Sequence, residues 1–137
     1  MTLKNKNGIY VTSKIRHAPT WLSYKEEGWP IISTWLTNID GTDVGGLRSL
    51  WINCISECTS CAVLVAYIEP GDILRGGVAE IGAALGSGVP VFLVGECEEL
   101  GTLGEHPLVR TFGSLKHAMD AAKNYAASIQ VPEFEAA

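Results

Sequence analysis

Short apolar runs alternate along the chain with longer stretches whose apolar residues recur at helical spacing. Ile9-Tyr10-Val11, Pro30 to Leu36, Ala62 to Ile68, Pro90 to Val94 and Leu108 to Phe112 read as strands, rich in β-branched or aromatic residues and bounded by turn formers. Ala18 to Glu27 reads as a helix stopped by Gly28. Leu47 to Ser60 places Leu47, Leu50, Trp51, Cys54, Ile55 and Cys58 at the spacing of one helical face. A third helix runs from Val78 to about Ser87, and Ser114 caps a fourth that reaches about Ser128. The Gly- and Asp-rich segment Asn38 to Gly46 and the acidic segment Gly95 to His106 are loops, and residues 130–137 read as a frayed tail.

Strands that alternate with helices are parallel and joined by crossovers. The pattern predicts one α/β domain over residues 1–137, a Rossmann-like, three-layer, doubly wound five-stranded parallel sheet of flavodoxin-like order 2-1-3-4-5. Such sheets bind ligands beyond the carboxyl ends of their strands, at the switch point. Here that rule selects the segments Thr12 to Pro19 and Glu69 to Gly77.

Composition narrows the options. At 47% hydrophobic the chain can fill a core. Ten Lys+Arg against fifteen Asp+Glu give a net charge of −5, which argues against nucleic acid as a partner but leaves room for a small anion. Met1 to Gly8 has no apolar signal-peptide core, and no apolar run is long enough for a bilayer, so no membrane partner and a cytoplasmic location are expected. Cys54, Cys58 and Cys61 have the spacing C-x3-C-x2-C of some iron–sulfur proteins. They fall at i, i+4 and i+7 of an amphipathic helix, so core thiols are expected, with no metal and no cofactor. Zinc-peptidase, P-loop and α/β-hydrolase motifs are missing from the sequence.

Candidate chemistry concentrates at Gly76-Gly77-Val78-Ala79-Glu80-Ile81-Gly82. The glycines would let backbone approach a ligand, and Glu80 would lie near the positive end of a helix dipole, biased towards its ionised form. Gly82, one turn on, would leave space against the sheet or a neighbouring ring. The same pattern also fits a glutamate that merely complements the dipole beside two packing glycines.

The apolar run Ala62 to Tyr67, the glycine-containing loop, Glu80-Ile81-Gly82-Ala83-Ala84 and Gly88-Val89-Pro90-Val91 resemble the nucleoside 2-deoxyribosyltransferase-like family, as does Ile9-Tyr10-Val11-Thr12-Ser13. The likeness spans residues 8–95 and extends to small phage and bacterial members. It implies cleavage or transfer at the N-glycosidic bond of a nucleoside or nucleotide. Glu80 would be the nucleophile and Tyr10 the residue that orients it, with Asp72 in the loop that contacts the leaving base. Ser13, Arg16 and His17, joined by Arg75, Gly76 and Gly77, would bind substrate, including a 5′-phosphate. The family's aspartate on the helix before its third strand is replaced here by Asn53 or Cys54, leaving Asp72, Asp40, Asp43 or a partner subunit to supply an acid. The alternative is a non-catalytic nucleotide-binding or signal-sensing module. The resemblance also implies a homodimer or larger homo-oligomer, with Leu47 to Ser60 as a candidate interface.

Overall fold

A computed structural model describes residues 8–42 and 45–129. Its centre is an all-parallel sheet of four strands, β1 (Ile9–Ser13), β2 (Val63–Tyr67), β3 (Val91–Val94) and β4 (Val109–Phe112), in the order β1-β2-β3-β4. Helices α1 (Ala18–Glu26), α2 (Leu47–Ser60), α3 (Gly76–Gly86) and α4 (Leu115–Ser128) lie between and after them. The expected α4 cap forms: the Ser114 hydroxyl accepts a hydrogen bond from the His117 amide.

Register explains how the helices divide between two faces. Val11 stands opposite Val65, and Val65 opposite Phe92, so these three share one face of the sheet. Phe92 packs on Tyr125 of α4, with ring centroids 6.1 Å apart. Tyr10, one residue from Val11, faces the other way and meets Glu80 of α3. Hence α3 and α4 cover opposite faces, and α2 packs against α3. Val63 to Ala66 of β2 are fully enclosed, as a strand covered on both sides must be.

One predicted element is corrected. Pro30 to Leu36 is not a strand; it makes one isolated parallel bridge, Ile31 to Ile9, and then a 3-10 turn over Thr34–Thr37. The bridge residue's neighbours still pair with β1, since the Ile9 amide donates to Pro30 O and the Ile32 amide to Ile9 O. At the next outward-facing position side chains take over. The Val11 amide donates to Ser33 Oγ at 2.8 Å, and the Trp35 indole donates to Val11 O at 2.8 Å. Both of these backbone groups are therefore satisfied without a ladder.

Cys54, Cys58 and Cys61 are buried in the core, as their helical spacing predicts. The predicted tail, residues 130–137, lies outside the described residues. Among those residues no helix is long and apolar enough to cross a membrane.

Candidate functional site

Alternation along β1 aims Tyr10 and Thr12 at the same point from successive inward positions. There they meet the side chain of Glu80. The Tyr10 hydroxyl donates to Oε2 at 2.6 Å and the Thr12 hydroxyl to Oε1 at 2.7 Å, so each carboxylate oxygen has its own donor. Glu80 is 7% exposed and Tyr10 fully buried. Cys54 of α2 adds a thiol contact to both.

Electrostatics here differ from the sequence expectation. Glu80 is the fifth residue of α3 and lies beyond its first turn. Burial dominates and raises its carboxyl above the ordinary range, against the opposing effect of the Tyr10, Thr12 and Cys54 contacts. The helix dipole does not set its charge state. Burial, followed by the nearby Glu80 charge, pushes the Tyr10 phenol far above its usual value. Burial likewise lifts the Cys54 thiol to about 11. Both therefore stay protonated and serve as donors.

Above Glu80 opens a cleft of about 350 Å³. Its walls come from the two segments that the switch-point rule selects: Thr12, Ser13, Lys14 and Ile15 at the end of β1 and just after it, and residues 73–77 before and into α3. A third wall, Trp35, Ile39, Leu47, Leu50, Trp51 and Cys54, comes from the crossover between β1 and β2. Leu47, Trp51 and Ile73 are at least 45% exposed, so the mouth of the cleft is apolar and open.

Gly76 and Gly77 line the cleft, but packing already explains their lack of a side chain. A Cβ on Gly77 would fall 2.6 Å from the Leu74 side chain, and one on Gly76 would fall 3.3 Å from the Trp51 ring. Gly82 is exposed and a Cβ there would meet nothing within 4 Å, so it makes no room for a neighbour.

The sequence candidates separate into two groups. Glu80, Ser13, Arg75, Gly76 and Gly77 share the cleft, with Tyr10 holding Glu80 from beneath. Arg16, His17 and Asp72 form a separate cluster that does not line it. Arg16 donates to Asp72 at 2.7 Å and to Glu69 at 3.1 Å, and His17 Nε2 lies 2.9 Å from Asp72. The Glu69 amide also donates to Asp72. Burial would raise the Asp72 carboxyl, but the Glu69 amide, His17 and Arg16 together hold it well below the usual range. Asp72 is thus a fixed anion that fastens the 69–75 loop to the turn after β1, and Arg16 and His17 are engaged with it. Ser13 is also engaged, accepting from the Trp21 indole at 2.9 Å. Asp40 accepts from the Thr42 amide outside the cleft, and Asp43 lies outside the described residues.

Thr12 is the functional candidate that the sequence reading passed over. Its position two residues after Tyr10 was the available signal. Trp35 and Trp51 reach the cleft walls from the 3-10 turn Thr34–Thr37 and from α2.

No protein-family model matches the chain, and no curated protein or solved structure is significantly similar to it.

Proposed function

We propose that the protein cleaves or transfers at the N-glycosidic bond of a nucleoside or nucleotide, with Glu80 as nucleophile, as the resemblance to the nucleoside 2-deoxyribosyltransferase-like family implies. One observation carries the reading: a buried carboxylate at the base of an open cleft, with each oxygen held by a separate hydroxyl. Such a carboxylate is oriented and stripped of water. It attacks the anomeric carbon, and water or a second base then resolves the glycosyl-enzyme. Tyr10 and Thr12 fix its direction, the aromatic walls accept a base, and Arg75 and Lys14 supply positive charge for a phosphate. The reading takes the Ile31 bridge as the remnant of an outer strand, so that the sheet keeps the flavodoxin-like order 2-1-3-4-5.

A second copy of the chain, meeting the apolar mouth and the outer face of α2, belongs to the same proposal, as does a cytoplasmic location. Leu47 and Ile52 are 62% and 61% exposed, which suits an interface better than a solvated helix face.

A second reading, a nucleotide-binding module without catalysis, is favoured by one feature. Among the described residues lining the cleft, Glu80 is the one carboxyl group, so no acid stands ready for a leaving base. Chromatography of free base after incubation with a panel of nucleosides and monophosphates separates the two. Release by the wild type that is lost in Glu80→Ala supports the enzyme; binding by calorimetry without release supports the module. Release that survives in Glu80→Ala removes Glu80 from the mechanism.

A further inference from the structure

Among the described residues, the cleft has a nucleophile and no second carboxyl group, which limits what can leave. A neutral purine or pyrimidine departs as an anion unless it is protonated, and general acids typically supply that help at about 100- to 10,000-fold in rate. Among the described residues, the hydroxyl, thiol and carboxyl groups around Glu80 are unsuited to the task. The Tyr10 and Thr12 hydroxyls are committed to the carboxylate, and burial lifts the Cys54 thiol to about 11, too weak an acid at neutral pH. Glu57, which contributes negative charge from α2, is engaged by the Thr34 amide and hydroxyl and does not line the cleft. Asp72 and Glu69 are engaged with Arg16.

We infer that the substrate's glycosidic nitrogen already carries a positive charge: the cleft takes a pyridinium riboside or its 5′-phosphate. The inference rests on the glycosidase reading above and narrows its substrate class. Two further features agree with it. Trp35 and Trp51 line the walls, and aromatic rings attract a flat cation. A neutral ligand would exclude water and push the Glu80 carboxyl still higher, whereas a fixed positive charge beside it favours the carboxylate needed for attack.

The bonds balance without an acid. A Glu80 oxygen forms a bond to C1′ as the C1′–N bond breaks, and that electron pair neutralises the pyridinium nitrogen. The pyridine leaves uncharged and no proton moves. Water then forms the new C1′–O bond, Glu80 departs as carboxylate with its bonding pair, and one proton passes to solvent.

The test compares nicotinamide riboside and its 5′-phosphate with inosine and deoxyuridine as substrates of the wild-type protein. The expected result is nicotinamide release with kcat/KM at least about 100-fold above that for the neutral bases. That release disappears in Glu80→Gln, and the pH profile has no alkaline limb. Equal or faster release of a neutral base, or an alkaline limb on pyridinium cleavage, overturns the inference. If that neutral-base cleavage is lost in Glu80→Gln, the glycosidase reading stands and the substrate class falls. Release from neither class overturns both.

Discussion

The Tyr10 hydroxyl donates to Glu80 Oε2 across 2.6 Å, joining residues seventy positions apart in the chain. The bond ties the first strand of the sheet to the helix that follows its second. Thr12 repeats the connection at the other oxygen. The orientation of the carboxylate is thus a property of how β1 and α3 are packed, and it can be dissected one hydroxyl at a time.

Tyr10→Phe keeps the buried ring and removes one donor. A hydrogen bond to a charged group contributes about 1.5–3 kcal/mol, so on the glycosidase reading turnover is expected to fall roughly 10- to 100-fold. With one stabilising donor gone, the acid limb of the pH–rate profile should move to higher pH. Thr12→Val should act in the same direction, and Thr12→Ser should restore most of the loss. An unchanged acid limb in Tyr10→Phe would separate the phenol from the charge state of Glu80.

Two buried carboxylates should bend the stability profile in opposite directions. Glu80 titrates above its ordinary range when folded, so the unfolded chain ionises first. Stability is therefore lost as pH rises from the unfolded value through the folded one. Asp72 titrates below its ordinary range when folded. Its contribution is complete above about pH 4 and disappears as acid titrates the folded protein. Calorimetric melting across pH should show Glu80→Gln reducing the loss on the neutral side and Asp72→Asn reducing the dependence on the acid side.

Two glycines of α3 make a matched pair. Gly77→Ala drives a methyl group into Leu74 and is expected to destabilise by about 1–3 kcal/mol in urea unfolding. Gly82→Ala meets open space and gains helix propensity, stabilising by about 0.5–1 kcal/mol. Equal effects at the two positions would contradict the packing described around Leu74.

Ile52→Glu places a charge on the outer face of α2, where the wild-type side chain is 61% exposed. If α2 joins two copies, light scattering should give a multimeric mass for the wild type and a monomeric mass for the variant. A monomeric wild type would end the interface proposal.

Much of this architecture was legible from hydrophobic period. The bounds of α2, Leu47–Ser60, follow from its repeat, and the short, β-branched apolar runs at Val63–Tyr67 and Val91–Val94, bounded by turn formers, read as buried strands. Pro30 to Leu36 misled because Ile31, Ile32 and Trp35 have strand composition. Their burial comes instead from a bridge and a 3-10 turn, which composition does not distinguish. At the site, Glu80 and Tyr10 were readable, but their electrostatics were not. A dipole argument needs only sequence position, whereas burial depends on what Cys54, Tyr10 and Thr12 enclose. Arg16, His17 and Asp72 looked like ligand contacts because they lie in the two switch-point segments; the hydrogen bonds that join them are visible only in three dimensions.

Ser33 and Trp35 seal the outer side of β1 with a hydroxyl and an indole where a neighbouring strand would use its backbone. A ladder constrains every residue along it, because a single insertion shifts the whole register. Two side-chain anchors impose no such register on the chain beyond them. The segment after Trp35, which carries Ile39 to the cleft wall, can therefore lengthen or change composition without unzipping the strand that holds Tyr10 and Thr12. The cleft wall can be reshaped while the orientation of Glu80 stays fixed.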